Sequence, residues 1–398
     1  MRQPDARPAG DSGPGSRRGR AVKGFRAAGI AAGLKRDGGN DVALLVNDGP
    51  ADAAAAVFTA NRCKANPVLW SERVVADGRV RAVVLNSAGA NCYTGPEGFQ
   101  TTHATAERVA DALGVGAGDV LVCSTGLIGE QLRRDPLLSG VDAAAAALSA
   151  DGWTDAAEAI MTTDSRPKQA EVTGDGWSVA GIAKGAGMLA PSLATMLVVL
   201  ATDAAVDAAT CDAALRAATA RTFDRLDSDG CQSTNDTVAL LASGASGVSP
   251  GESAFAEAVT ALCHDLAMQL LGDAEGSAHD IAIDVIGAAS EADALEAARA
   301  VARSALFKCA VYGEDPNWGR VLAAIGTTRA AFEPHAVDVV FNGVRVCRAG
   351  QPDEPREKVT FDRAVRVAVD LHAGAAAATV WTNDLTEAYV HENSAYST

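Results

Sequence analysis

Between residues 184 and 200 the chain reads KGAGMLAPSLATMLVVL. The glycines of this segment allow a backbone to approach a ligand closely, and Lys184 is placed to hold an anion beside it. Thr195 stands at the start of an apolar, strand-like run, which would hold its hydroxyl group rigidly enough for a nucleophile. The pattern by itself is more typical of an ordinary loop before a core strand. It therefore predicts a buried strand and leaves the chemistry open.

Short strands and helices in irregular alternation surround this segment. Apolar runs and polar–apolar alternation predict strands at 55–59, 80–85, 119–123 and 280–286. Helical spacing predicts helices at 101–113, with Thr101 or Thr102 as N-cap, and at 204–222, 253–272 and 291–307. Asn342-Gly343 supplies the positive φ of a type I′ turn and predicts a hairpin between 337–341 and 344–346. This order favours a layered α+β fold over a doubly wound parallel sheet.

Composition excludes several classes of protein. The 398 residues carry 34 Lys and Arg against 50 Asp and Glu, a net charge of −16, which disfavours nucleic acid or an anionic membrane as partner. A hydrophobic content of 48% excludes disorder for most of the chain, while residues 1–22 have the composition of a flexible tail. Ser16-Arg17-Arg18 resembles an export signal, but charged residues interrupt the apolar stretch behind it. We therefore expect a cytoplasmic protein.

The common motifs for metals, nucleotides and hydrolysis are missing from the sequence. The eight cysteines and six histidines are dispersed without the clustering that a metal site needs. No P-loop, dinucleotide-binding, zincin or nucleophile-elbow pattern occurs. Ser165-Arg-Pro-Lys168 matches the serine–lysine motif formally, but Pro167 is poorly placed in the helical turn that this chemistry uses. We expect no metal and no bound cofactor.

The segment KGAGMLAPSLATML (184–197) closely resembles the self-cleavage motif of the bifunctional ornithine acetyltransferase/N-acetylglutamate synthase family of arginine biosynthesis. Further segments resemble the family in the same order along nearly the whole chain: GFRAAG (24–29), NS-GAN (86–91), CSTGLIG (123–129), IMTTD (160–164), STNDT (233–237), DPNWGR (315–320) and ENSAYST (392–398). The resemblance implies a layered α/β/β/α-type sandwich with an additional small α+β domain in the C-terminal half.

The resemblance also implies a mechanism. The Thr195 hydroxyl attacks the Ala194 carbonyl, and water opens the resulting ester, which gives an α chain (23–194 after the tail) and a β chain (195–398) with 275–398 as a C-terminal subdomain. The new amino terminus then acts as general base for the hydroxyl of the same residue. Thr195 carries the acetyl group from N²-acetylornithine to glutamate in a ping-pong cycle. Whether acetyl-CoA is a second acetyl donor stays open, and the expected assembly is an α₂β₂ heterotetramer.

Residue roles follow from the same resemblance. Thr125 and Gly126 correspond to the oxyanion hole. The residues that correspond to substrate contacts are Thr162, Lys184, Thr195, Glu275, Asn393 and Thr398. Lys184 suits an α-carboxylate and Glu275 an ornithine ammonium group. Asp236 and Arg320 are candidates for supporting roles, with a structural salt link as the equal alternative.

Two departures from the family pattern leave the acceptor open. Ser277-Ala278-His279 follows Glu275-Gly276 where the family has a small residue, Thr and Lys, and Tyr93 stands where a smaller residue is usual. One alternative is a relative that uses a different amine acceptor in secondary metabolism. Others are an N-terminal-nucleophile aminopeptidase or amidase, in which water meets the acyl-enzyme, and a self-cleaving assembly protein without catalysis.

Overall fold

The computed structural model describes residues 22–188 and 196–395. The strands in these ranges are β1 Phe25–Ile30, β2 Val42–Asn47, β3 Ala53–Phe58, β4 Ala82–Asn86, β5 Val120–Ser124, β6 Lys168–Thr173, β7 Ser178–Lys184, β8 Leu197–Thr202, β9 Thr237–Ala242, β10 Asp280–Ala288, β11 Asp338–Phe341, β12 Val344–Arg348, β13 Gln351–Pro352, β14 Ala364–Asp370 and β15 Ala376–Asn383. The helices are α1 Asn66–Val74, α2 Gly95–Leu113, α3 Arg134–Ala147, α4 Trp153–Ala159, α5 Ala208–Arg221, α6 Glu252–Leu271, α7 Glu291–Ala302, α8 Ala305–Tyr312, α9 Trp318–Ile325 and α10 Glu387–Ala395.

Two sheets form the centre of the molecule. The first has the order β1-β2-β4-β5, and the second has the order β3-β9-β8-β7-β6. Every residue of β2, β4, β5, β8 and β9 is buried, as expected for apolar runs covered on both faces. The strand predicted after Thr195 is thus β8, which lies in the middle of the second sheet.

The layers follow from which side chains share a core. Leu45 and Leu85 of the first sheet pack with Ile182 and Val199 of the second in one apolar cluster between the sheets. The outer face of the first sheet is covered by α2 and α3, and the outer face of the second by α5 and α6. This arrangement confirms the expected α/β/β/α sandwich.

A third, six-stranded sheet forms a separate core in the C-terminal part. Its order is β13-β12-β11-β14-β10-β15, and α7, α8 and α9 pack on it. Asn342 and Gly343 have φ values of +45° and +85°, so the predicted hairpin turn is confirmed. The additional α+β unit of the fold prediction is therefore present.

Two helix predictions are wrong in their boundaries. Residues 291–307 form two helices rather than one, because the Ser304 hydroxyl accepts a hydrogen bond from the Phe307 amide and starts α8. Helix α2 begins at Gly95, six residues before the expected start, with Pro96 in its first turn. The hydroxyl of Thr101 donates to the carbonyl of Glu97 instead of capping the helix.

Candidate active site

Four strand ends meet at one edge of the sandwich. In the second sheet, Lys184 at the end of β7 pairs with Leu197 at the start of β8, which in turn pairs with Thr237 at the start of β9. The first sheet contributes the end of β5. The amide group of Asn235 joins the two sheets here, because its Nδ2 donates to the Ser124 carbonyl at 2.8 Å and to the Ala90 carbonyl at 2.6 Å.

The predicted site residues that the structure describes line one cavity of about 100 Å³ at this edge. They are Thr125, Gly126, Thr162, Lys184, Glu275 and Asn393. Ala194, Thr195 and Thr398 lie outside the described residues. A larger groove of about 900 Å³ between α1 and α2 contains none of the predicted residues, so chemistry rather than size identifies the site.

The turn after β5 requires glycine. Gly126 has a φ of +128°, and a Cβ atom there would lie 2.7 Å from the Gly89 nitrogen and 2.9 Å from its Cα. The preceding residue, Thr125, is buried, and its amide donates to the Asn86 carbonyl at 3.0 Å. Packing of this turn directly against backbone holds it in one conformation, which suits groups that must be aimed at a reacting oxygen.

Lys184 is a buried cation at the centre of the site. Its Nζ donates to the Thr125 hydroxyl at 3.2 Å, so it links the second sheet to the turn after β5. Burial lowers the pKa of Lys184, and the charges of Asp164, Asp236 and Glu275 oppose this effect. A buried ammonium group among carboxylates can accept one more anionic partner, such as a substrate carboxylate.

Glu275 and Asn393 approach the cavity from the C-terminal part of the chain. The Glu275 amide donates to the Ala186 carbonyl at 3.0 Å, and its Oε2 accepts a hydrogen bond from Asn393 Nδ2 at 3.0 Å. A Cβ atom on Gly187 would lie 2.6 Å from Oε2, so the absence of a side chain at 187 leaves room for this carboxylate. The carboxylate and Lys184 give the cavity one negative and one positive group.

Asp164 supports the site, although the sequence analysis assigned it no role. Its Oδ1 accepts hydrogen bonds from the Gly185 amide at 2.7 Å and Lys168 Nζ at 2.6 Å, and its Oδ2 accepts from the Thr162 amide at 3.0 Å. Burial would raise the pKa of Asp164, but the charges of Lys184 and Lys168 outweigh it and lower the pKa to about 2. The signal in the sequence was an acidic residue two positions after Thr162.

The residues that depart from the family pattern do not line the cavity. Tyr93 is 70% exposed. His279 is buried with its Nδ1 2.7 Å from Asp384 Oδ2, a contact that anchors the start of β10. Arg320, a candidate for a supporting role, does not line the cavity either. It lies on α9, and its guanidinium group donates to the Leu306 carbonyl.

Metal-ligand clusters and helices that could span a membrane are both absent from the residues that the structure describes. Within residues 22–188 and 196–395, no three His, Cys, Asp or Glu side chains are grouped as metal ligands would be. Each helix in the same ranges is too short or too polar to cross a bilayer.

Comparison with known proteins identifies the family. The protein named arginine biosynthesis bifunctional protein ArgJ from Streptomyces coelicolor is 62% identical over 378 residues, which cover 95% of this chain and 99% of the relative. The protein of the same name from Mycobacterium leprae is 55% identical over 95% of both chains. A crystal structure of ornithine acetyltransferase from Mycobacterium tuberculosis, complexed with ornithine, is 54% identical and covers 44% of this chain and 96% of its own, with a TM-score of 0.44. Residues 26–398 match the ArgJ family, and the chain belongs to that family.

Proposed function

We propose that this chain is a glutamate N-acetyltransferase of arginine biosynthesis that moves the acetyl group of N²-acetylornithine to glutamate. The observation that carries the proposal is the single cavity lined by Thr125, Gly126, Lys184 and Glu275 at the edge where β8 begins. Membership of the ArgJ family supports the substrate class, because close relatives carry the name of an arginine-biosynthesis enzyme. The bond broken and the bond formed are both amides, so the reaction is near balance and needs no energy source.

The active enzyme forms by self-cleavage before Thr195. The Thr195 hydroxyl attacks the Ala194 carbonyl, the C–N bond breaks, and water hydrolyses the ester that results. This leaves a carboxylate on Ala194 and a free amino group on Thr195. An α-amino group titrates at roughly 7.7–8.0, so it can take the hydroxyl proton at neutral pH where an ordinary lysine cannot.

The acetyl transfer then runs in two halves. Thr195 attacks the acetyl carbonyl of acetylornithine, and the tetrahedral oxyanion is stabilised at Thr125 and Gly126, whose turn is held rigidly against Gly89. Ornithine leaves, and the α-amine of glutamate attacks the acetyl-enzyme. In this scheme neither a metal nor a bound cofactor takes part, and acetyl-CoA is a candidate second acetyl donor for N-acetylglutamate synthesis.

Substrate recognition uses the charges of the cavity. Lys184 binds the α-carboxylate, and Glu275 binds the ammonium group of ornithine. Asn393 orients Glu275 through its 3.0 Å hydrogen bond, and Thr162 adds a polar side chain to the cavity wall. We also assign a substrate contact to Thr398, on the resemblance of the terminal segment 392–398 to the family. Since one cation and one anion face the same small cavity, amino-acid zwitterions fit it better than neutral amides do.

The sheet topology favours a product that stays together after the cut. Strand β8 lies between β7, from the chain that ends at Ala194, and β9, from the chain that begins at Thr195. Separation of the two products would expose the buried faces of β7 and β8 to water. We include in the proposal an α₂β₂ assembly that works in the cytoplasm.

A denaturing gel with N-terminal sequencing tests the mechanism. We expect two bands of similar size, of which one begins Thr195-Met196-Leu197. The substitution Thr195→Ala should abolish both the cut and acetyl transfer, and an intact chain with full activity would contradict the mechanism.

Product analysis tests the acceptor. Purified enzyme with acetylornithine and glutamate should yield N-acetylglutamate and ornithine in equal amounts. Release of acetate at the same rate with and without glutamate would instead indicate a hydrolase.

A further inference from the structure

Asp236 is a buried carboxyl group that the proposed cycle does not use. It directly precedes β9, and the parallel pairing of Leu197 with Thr237 brings it beside Met196. Its Oδ1 accepts a hydrogen bond from the Met196 amide at 3.1 Å. The register of two strands thus places this carboxyl group against the residue that follows Thr195.

The second oxygen of this carboxyl group, Oδ2, has a different environment from Oδ1. Asp236 Oδ2 is buried and accepts no hydrogen bond from the part of the chain that the structure describes, although buried polar atoms are almost always paired. Two ionisable groups lie near it, Lys184 on β7 and Cys231 in the loop before β9. Lys184 directs its Nζ to Thr125 instead. Burial raises the pKa of Asp236 well above its ordinary range, and the Met196 amide, the nearby hydroxyl groups of Ser233 and Thr59 and the charge of Lys184 oppose this effect. The Thr59 hydroxyl itself donates to the Ser233 carbonyl at 2.7 Å.

Covalent connectivity shows which group can reach this oxygen. The nitrogen of residue 195 is joined to the Met196 nitrogen through two carbon atoms, so the two nitrogens are at most about 4 Å apart. In the intact chain the nitrogen of residue 195 is an amide with one hydrogen. Cleavage before Thr195 converts it to an amine with additional N–H donors.

We propose that Asp236 is a positioning residue whose Oδ2 accepts a hydrogen bond from the amino group that cleavage creates at Thr195, an inference that rests on the function proposed above. With one N–H directed to Asp236, the nitrogen lone pair is left to face the Thr195 hydroxyl. A carboxylate orients the base of a Ser-His-Asp triad in the same way. Asp236 touches neither the substrate nor the hydroxyl proton.

The substitution Asp236→Asn separates this role from a structural one. The amide oxygen still accepts from Met196, while the NH₂ group takes the place of Oδ2 and donates to the amine lone pair instead of accepting from it. We expect the variant to fold and to cut itself, because cleavage precedes the amine. The kcat for acetylornithine should fall by about 10²–10⁴-fold, with KM changed much less.

The pH titration of the Thr195 amine distinguishes the two roles, because a purely structural role of Asp236 would leave it unchanged. Its reaction with an amine-reactive reagent, followed by mass spectrometry of the C-terminal product, gives a pH midpoint. Loss of the Oδ2 acceptor removes a hydrogen bond that favours the ammonium form of the amine, so the midpoint should fall below that of the wild type. Asp203→Asn is the matched control. Asp203 is a buried carboxyl group just past the opposite end of β8 that accepts from the Ser178 amide at 2.7 Å, and its loss should lower Tm without moving the midpoint.

The outcomes are distinct. A folded, cut Asp236→Asn protein with unchanged kcat and midpoint overturns the inference, as does a folded variant that stays intact. If the Asn variant does not fold, Asp236→Ser, which keeps a hydroxyl acceptor for Met196, should show the same lowered midpoint, and an unchanged one overturns the inference. A wild-type protein that is cut but transfers no acetyl group contradicts only the proposed function, and an uncut wild type contradicts both.

Discussion

At Gly126 the backbone adopts a φ of +128°, which side chains with a Cβ rarely take. The loop after β4 leaves no room for such an atom, because the Gly89 nitrogen and Cα lie 2.7 and 2.9 Å from its position. Rigid backbone contacts of this kind aim the groups of the turn after β5. The conformation of the proposed oxyanion hole therefore depends on the absence of a side chain at residue 126.

We predict that Gly126→Ala lowers kcat by about 10²–10³-fold, the usual loss for one oxyanion-hole donor. Gly129→Ala is a matched control, since Gly129 also has a positive φ, of +86°, but open space around its Cβ position. Steady-state kinetics of both variants checks the prediction. An equal loss of kcat in the two variants would show that backbone strain, and not the clash with Gly89, causes the effect.

Gly187 lies opposite Glu275, and its missing side chain leaves room for the carboxylate. We predict that Gly187→Ala raises the KM for acetylornithine at nearly unchanged Tm, because the new methyl group displaces the flexible end of Glu275. Steady-state kinetics of Gly187→Ala and of Glu275→Gln checks the prediction, and both variants should show a raised KM for acetylornithine. A Gly187→Ala enzyme with wild-type KM would argue against an ammonium contact at Glu275.

Among the elements, α10 carries Asn393 to the cavity and is held by few contacts. The Thr386 hydroxyl donates to the Gly276 carbonyl at 2.5 Å and accepts from the Tyr389 amide at 2.9 Å, which fixes the start of the helix over the loop that carries Glu275. No residue of the helix through Ala395 is buried. Its position therefore depends on the close approach at Gly276.

We predict that Gly276→Ala displaces α10 and raises the KM for acetylornithine, because a Cβ there would lie 2.2 Å from the Tyr389 nitrogen at a φ of +61°. Asn393→Ala should reproduce the rise in KM. Gly33→Ala, with a φ of +77° and open space, controls for backbone strain. An unchanged KM in the Gly276 variant would show that α10 does not position the substrate.

At the scale of the whole molecule, a buried ionic network ties together the two proposed cleavage products. Lys168 is fully buried, with its Nζ 2.6 Å from Asp164 Oδ1 and 2.5 Å from Asp273 Oδ2. Asp164 and Lys168 precede the proposed cut, whereas Asp273 follows it. Removing one member of a buried pair is costly, since its partner is left charged without compensation.

The pH dependence of stability follows from Asp164. Its pKa is about 2 in the folded protein against an ordinary value of 3.8, so this carboxylate stabilises the fold above about pH 4, and its contribution is lost as the pH falls towards 2. The contribution is about 2 kcal/mol. We predict that the Tm difference between the wild type and Asp164→Asn narrows over this range. Asp142→Asn, at an exposed pair with Arg108, is the control and should show little narrowing; a constant difference for Asp164→Asn would contradict the assignment.

Much of the fold was predictable from local pattern. The apolar runs gave β4, β5, β8 and β10 to within a few residues, and Asn342-Gly343 gave the hairpin, because burial and turn geometry act over short segments. The break between α7 and α8 was missed, since the amphipathic period continues through Ser304 while the hydroxyl of that residue starts a new helix. Local period and local capping compete there, and capping prevails.

The sequence by itself determined the family, the layered fold and the residue types of the site, because these are carried by ordered motifs and by hydrophobic period. Only the tertiary structure decided which buried groups support the residues of the site. Asp164 and Asp236 reach Lys184 and Met196 through strand pairing and a turn between distant segments, which no local pattern encodes. The structure likewise placed Tyr93 and His279 away from the cavity, since their neighbours in space, not in sequence, determine what they contact.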